Sequence, residues 1–154
     1  MMKLTKGLSI CLAVVVGFLS SLQGETRVNL EDPQVIKQQT EDAVTFAAML
    51  DPWRNAIEKY SEKNNIDLKI KCKTCGERVL TLGEFDGGLF AWLIKGIADG
   101  HEAFEKVKAL ADEYIKLFSN GASSEEIINF MLKTSNDMKD FCMGCHGVEW
   151  EKIA

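Results

Sequence analysis

The chain has 154 residues, 46% of them hydrophobic and 27% charged, and a formal net charge of −5. This length suits one domain with a modest core. No basic stripe is present, which argues against nucleic acid as a partner. The sequence also contains no Ser-His-Asp, paired-carboxylate or phosphate-binding glycine pattern. A non-enzymatic role is therefore favoured.

Residues 1–24 are predicted to be a secretory signal peptide. Lys3 and Lys6 form its charged start, and a mostly apolar run follows from Leu8 to Leu19. This run is shorter than a typical membrane span. We expect an exported protein, periplasmic or extracellular, that associates with a membrane only if the segment is retained. Its removal leaves residues 25–154 as a single helical domain with 16 basic and 23 acidic residues, a formal charge of −7.

Helical signals begin at Asp32-Pro33, where Asp is a suitable N-cap and Pro suits the first helical position. Asp51-Pro52 repeats this signal, which predicts either a second helix or a kinked continuation to about Lys63. From Ile66 to Cys72, apolar and charged residues then alternate, as they do in a half-buried strand.

The next stretch, Cys72-Lys73-Thr74-Cys75-Gly76, predicts a turn, after which residues 78–82 return as a second strand. A hairpin with C-x-x-C-G at its tip has the form of a metal-binding knuckle, since glycine lets the backbone amides turn toward the sulfurs. Glu84–Gly88, with its paired glycines, is predicted to be a loop.

Apolar residues at helical spacing predict one long helix over 89–118 and a last helix that begins at Ser123 or Ser124. Ser119–Ala122 connects them, and so short a connection favours antiparallel packing. The sequence therefore predicts a mainly α fold, a helical bundle of three or four helices with one small inserted β-hairpin.

Near the C-terminus lies Cys142-Met143-Gly144-Cys145-His146, the C-x-x-C-H arrangement that attaches c-type haem. Each thiol forms a thioether with one haem vinyl group, and the adjacent histidine lies under the iron as an axial ligand. Cys142 and Cys145 also continue the apolar spacing of the last helix. These five residues predict covalently bound haem c, with His146 as the proximal iron ligand.

His101 is the only other histidine of the chain. Antiparallel packing about a turn near Gly121 would place it level with Cys142, on the inward face of its helix. Gly96 and Gly100 beside it would leave room for a flat ligand. His101 is therefore a candidate distal iron ligand, and an ordinary core histidine is the alternative.

A C-terminal C-x-x-C-H in a helical exported chain resembles the class II c-type cytochromes, the cytochrome c′ group. This resemblance covers residues 123–146 and the general helical layout. It implies a four-helix bundle that carries one haem, with Cys142 and Cys145 as thioether residues and His146 as the proximal ligand. It further implies electron transfer or the binding of a small gas. The charge of −7 favours a redox partner with a basic docking surface. The hairpin with its two cysteines is a departure from that family.

Two alternatives to haem use both cysteine pairs. In the first, Cys72, Cys75, Cys142 and Cys145 bind zinc as four thiolates and tie the hairpin to the C-terminus. In the second, the early pair forms disulfides with the late pair and staples a helical domain that binds a lipid or a protein partner. The sequence by itself leaves all three open.

Overall fold

The computed structural model describes residues 32–64, 66–138 and 149–153. These ranges contain four helices and three strands: α1 Pro33–Ser61, β1 Lys69–Cys72, β2 Val79–Thr81, α2 Leu82–Asp99, α3 His101–Ser119, α4 Ser124–Met138 and β3 Trp150–Lys152. The prediction of a mainly helical bundle with a small β element is confirmed. In the described ranges, no helix combines the length and the apolar character that crossing a membrane requires. The predicted signal peptide lies outside these ranges.

Helix α1 begins where the Asp-Pro signal predicted. The Asp32 carboxylate accepts a hydrogen bond from the Gln34 backbone N–H at 2.8 Å and so caps the first turn. The helix then runs through Pro52 to Ser61, so a single continuous helix is found where a second one was an alternative. Proline removes one helical hydrogen bond. The burial of apolar side chains before and after Pro52, such as Met49 and Trp53, offsets the loss of this hydrogen bond.

Helix α2 begins directly after β2 and includes Glu84–Gly88, so the loop predicted there was wrong. A reciprocal cap starts the helix. The Glu84 N–H donates to Thr81 Oγ1 at 3.2 Å, and the Thr81 N–H donates to Glu84 Oε2 at 2.9 Å. Arg78 donates to the same carboxylate at 2.8 Å. These hydrogen bonds, that of the Thr81 N–H first, hold the pKa of the Glu84 carboxyl below its ordinary value.

The long helix predicted over 89–118 is two helices, α2 and α3, separated by Gly100. The φ angle of Gly100 is +117°, a conformation that favours glycine because a Cβ would be strained there. The short connection after α3 was predicted correctly. Ser123 caps α4, since its Oγ accepts the Glu126 N–H at 3.2 Å while Glu126 Oε2 accepts the Ser123 N–H at 2.7 Å.

The described chain falls into two compact units. The first unit comprises residues 32–52 and 91–109, and its buried apolar side chains are Ala43, Phe46, Met49, Leu93, Ile97, Phe104 and Val107. The buried Gln39 carboxamide is satisfied by the backbone, because its Nε2 donates to the Ile97 carbonyl at 3.3 Å. The prediction that residues 25–154 form a single domain stays a prediction.

Within this unit, Gly96 packs directly against the backbone of α3. A Cβ added at Gly96 would lie 2.9 Å from the Cα of Phe104 and 3.1 Å from its nitrogen. Gly96 was expected to leave room for a flat ligand, and that expectation was wrong. The close approach of α3 fills the space beside it.

Replacing Gly96 by alanine is expected to destabilise the protein by about 1–3 kcal/mol, because the backbone of α3 must move to admit the methyl group. Gly87→Ala is the matched control on the same helix, since a Cβ at Gly87 meets nothing within 4 Å. Alanine there should instead stabilise by about 0.5–1 kcal/mol through its higher helix propensity. Urea denaturation followed by circular dichroism measures both changes. Equal effects of the two substitutions would contradict the close contact.

The second unit comprises residues 53–64, 66–90, 110–138 and 149–153, and an aromatic cluster forms its core. The fully buried Tyr114 ring lies at its centre, with ring centroids at 5.7 Å from Trp53, 5.6 Å from Phe85, 4.9 Å from Phe118 and 5.9 Å from Phe130. Tyr114 stacks on Phe130 across the short α3–α4 connection, and most other pairs are tilted or edge-to-face, as aromatic rings prefer.

The sheet belongs to the second unit and has the order β2-β1-β3, antiparallel throughout. The β1–β2 hairpin was predicted, and Ile70 lies opposite Leu80 in it. The third strand was not predicted. It pairs with the other edge of β1, with Cys72 opposite Trp150, so a C-terminal segment lies directly beside the first cysteine pair.

Candidate functional site

The first cysteine pair lies at the tip of the β1–β2 hairpin, as predicted. Cys72 is the last residue of β1 and is fully buried, whereas Cys75 is exposed in the turn. The turn is closed by two backbone hydrogen bonds, from the Cys72 N–H to the Arg78 carbonyl at 2.8 Å and from the Gly76 N–H to the Cys72 carbonyl at 2.9 Å. Gly76 has φ +74°, which explains why glycine follows the second cysteine.

Backbone N–H groups point at both sulfurs of this pair. The Cys75 N–H donates to Cys72 Sγ at 3.4 Å. The Arg78 and Glu77 N–H groups donate to the Cys75 sulfur and hold the pKa of its thiol below the ordinary value, with a smaller contribution from Cys72. Hydrogen bonds to sulfur favour the thiolate, which is the form that binds metals. Both cysteines are free thiols in the structure.

The C-terminal segment is attached to the tip of the hairpin at Glu149. The Lys73 N–H donates to the Glu149 carbonyl at 2.7 Å, and the Glu149 N–H donates to Thr74 Oγ1 at 3.3 Å. Lys73 Nζ also lies 3.0 Å from the Glu149 carboxylate, and this hydrogen bond raises the pKa of Lys73. Neither Thr74 nor Glu149 was singled out from the sequence, because only the fold brings them together.

Strand β3 continues from this attachment point. Lys71 pairs with Glu151 across the strands at 3.1 Å, and Trp150 is 4% exposed opposite Cys72. Directly opposed residues of an antiparallel pair project from the same face of the sheet. Helix α4 packs against both β1 and β3, so the hairpin and the C-terminal strand share one supporting helix.

The second cysteine pair and His146 lie outside the described residues. Chain length nevertheless limits how far Cys145 can be from the hairpin. Cys145 precedes Glu149 by four residues, and four extended residues span at most about 14 Å. The bonding of Glu149 to the tip of the hairpin is therefore compatible with a site that both cysteine pairs share.

His101 has a different environment from the one expected. It is the first residue of α3, and its side chain is 50% exposed, so the expectation of an inward-facing histidine was wrong. Its Nδ1–H donates to the Asp42 carboxylate at 2.8 Å, and Gln38 Nε2 donates to the same oxygen at 3.2 Å. The role of His101 as a distal iron ligand stays a prediction.

Asp42 was missed by the sequence analysis, although its side chain is only 3% exposed. Its position between Gln39 and Ala43, on the buried face of α1, was the available signal. Across residues 32–64, 66–138 and 149–153, histidine, cysteine, aspartate and glutamate form no cluster of three or more that could hold a metal ion.

Comparison of the chain with protein-family models, with characterised proteins and with solved structures finds no match.

Proposed function

We propose that this chain is a helical zinc-binding protein in which Cys72, Cys75, Cys142 and Cys145 bind one zinc ion as four thiolates. The observation that carries the proposal is the geometry of the first pair. Its turn is closed by Gly76, and N–H groups donate to both sulfurs. Such an arrangement favours the thiolate form of Cys75, the form that binds metals.

The attachment of Glu149 to the hairpin tip supports the second half of the site. Hydrogen bonds link Glu149 to Lys73 and Thr74, the two residues between the first pair of cysteines. Cys145 is only four residues before Glu149, a separation that supports a site shared by both pairs. Two C-x-x-C pairs in one site would match the four-thiolate ligand set of structural zinc sites.

The number of thiols also favours zinc. An exported protein rarely keeps free thiols, so its cysteines are normally bonded to something. A four-thiolate site accounts for all four cysteines of residues 25–154, whereas haem accounts for Cys142 and Cys145 alone. A closed site of four protein ligands leaves no open position for a substrate. The proposed role of the metal is therefore structural: it ties the C-terminus to the hairpin.

The second candidate is an exported monohaem c-type cytochrome, favoured by the C-x-x-C-H sequence of residues 142–146. Haem c would be attached to Cys142 and Cys145, with His146 as its proximal ligand. The protein would transfer single electrons to or from a partner with a basic docking surface. In this candidate the haem does not use Cys72 and Cys75.

Production of the full chain in a host with haem-attachment machinery tests the two candidates directly. The zinc proposal expects a colourless purified protein that contains one zinc ion per chain, measured by elemental analysis. The haem candidate expects a coloured protein with covalently bound haem and no zinc. A c-type visible spectrum, with haem retained after denaturation, would overturn the zinc proposal.

A further inference from the structure

The two sulfurs at the hairpin tip differ in their access to solvent. Cys72 is 0% exposed, at the end of β1 and opposite Trp150 in β3, whereas Cys75 is exposed in the turn. A small disulfide that arrives from solvent can therefore contact the sulfur of Cys75 but not that of Cys72. Access to the attacking sulfur is one of the factors that set the rate of thiol–disulfide exchange.

The same turn keeps the buried sulfur beside the exposed one. The Cys75 N–H donates to Cys72 Sγ at 3.4 Å, and the Cys72 side chain also hydrogen-bonds the Cys75 sulfur. The Gly76 N–H donates to the Cys72 carbonyl at 2.9 Å, which closes residues 72–76 into one tight turn. The first and fourth residues of such a turn lie within the Cα separation that a disulfide can bridge.

We infer that Cys75 and Cys72 form a thiol–disulfide exchange pair that low-molecular-weight disulfides of the glutathione type oxidise, with Cys75 as the attacking thiol and Cys72 as the resolving thiol. The inference goes beyond the zinc site and does not depend on it, because only the first cysteine pair takes part. Zinc bound to these sulfurs would block the exchange. The reaction therefore belongs to the metal-free protein.

The exchange has two steps. In the first, the Cys75 thiolate attacks one sulfur of glutathione disulfide, a mixed disulfide forms on Cys75, and one glutathione thiolate leaves. In the second, the Cys72 sulfur loses its proton and attacks the Cys75 sulfur, so the Cys72–Cys75 bond forms and the second glutathione thiolate leaves. The protons of the two cysteines end on the two released glutathione molecules. Two electrons pass from the cysteine pair to glutathione disulfide, which is the oxidant.

A merely structural role for the pair predicts a different product. If the two cysteines only packed in the turn, glutathione would stay attached to the exposed Cys75, because no neighbouring thiol would displace it. Because Cys72 lies beside Cys75, the mixed disulfide should instead be short-lived in the parent and stable once Cys72 is replaced.

The test uses the full chain, reduced and freed of metal by a chelator, then mixed with glutathione disulfide and quenched with acid at successive times. Mass spectrometry of a peptide that keeps residues 72–75 together identifies the products. The parent should yield the Cys72–Cys75 disulfide and release two glutathione molecules for each disulfide formed. In Cys72→Ala the glutathione adduct should accumulate on Cys75. In Cys75→Ser the buried Cys72 should react roughly 10-fold more slowly than Cys75 does in Cys72→Ala.

Thr74→Ser is the matched control inside the same turn, and it should react like the parent because both cysteines and the hydroxyl that accepts the Glu149 N–H are kept. A parent that accumulates the Cys75 adduct without an internal disulfide would overturn the resolving role of Cys72. Equal rates of adduct formation at the two cysteines would overturn the assigned order. A main product that joins this pair to Cys142 or Cys145 would overturn the inference as a whole.

If Cys72→Ala does not fold, the time course of the parent decides. An early adduct on Cys75 that converts to the Cys72–Cys75 disulfide supports the inference, and an early adduct on Cys72 overturns it. The zinc content of the untreated protein is measured separately and bears on the proposed function alone. The failure of one is therefore distinguishable from the failure of the other.

Discussion

Cys75→Ser is expected to abolish tight zinc binding, with a loss of affinity on the order of 100-fold or more. A serine hydroxyl is neutral at pH 7 and would replace one of the four proposed thiolates, so the remaining ligands would no longer complete a tetrahedral site. Cys75 is a better position for this substitution than Cys72, because Cys75 is exposed while Cys72 is fully buried. Serine at position 75 therefore changes the ligand with little effect on packing.

Thermal denaturation with and without a zinc chelator measures the consequence. The chelator should lower the midpoint of the parent, since any ligand that binds only the folded state stabilises it by about 2.7 kcal/mol at a concentration 100 times its dissociation constant. In Cys75→Ser the chelator should have no effect. Thr74→Ser is the control in the same turn, and it keeps the hydroxyl that accepts the Glu149 N–H. A Cys75→Ser protein that binds zinc as tightly as Thr74→Ser would show that Cys75 is not a ligand.

Phe85→Ala is expected to lower the free energy of unfolding by about 3–5 kcal/mol, a large part of the stability of a typical domain. The Phe85 side chain is fully buried, and its ring lies 5.6 Å from Tyr114 and 6.0 Å from Phe130. Alanine would leave a cavity between these rings. The loss combines the transfer of the phenyl ring to water with the cost of that cavity.

Phe90→Ala is the matched control, five residues later on the same helix. Phe90 is 39% exposed, so its truncation should cost roughly 1 kcal/mol or less. Urea denaturation monitored by circular dichroism compares the two variants with the parent. If both substitutions cost the same free energy, the aromatic cluster around Tyr114 is not the core of the second unit.

Local sequence signals determined several elements correctly. The Asp32 cap, the Ser123–Glu126 cap and the alternation before Cys72 each predicted an element that the structure contains. The Cys72–Gly76 turn was also predicted, because its glycine has the left-handed φ that such a turn requires. These features depend on residues within about four positions of one another, so the sequence carries the whole signal.

Other features were decided by tertiary contacts. Helix α1 continues through Pro52, although the same Asp-Pro pair starts it at residue 33, because the buried side chains on both sides outweigh one lost hydrogen bond. Strand β3 has only three residues, too few for a periodic signal, and exists through its pairing with β1. The Asp42 partner of His101 lies 59 positions away in the sequence.

The features of the candidate site likewise include some that the sequence predicts and others that only the fold decides. Both C-x-x-C pairs, and therefore the choice between haem and metal, are visible in the sequence, since that chemistry depends on residue type and local spacing. The sequence does not reveal the hydrogen bonds of Glu149 with the hairpin tip or those of Asn136 with Trp150. Contacts between distant segments depend on how α4 and β3 pack against β1, and only the folded chain determines that packing.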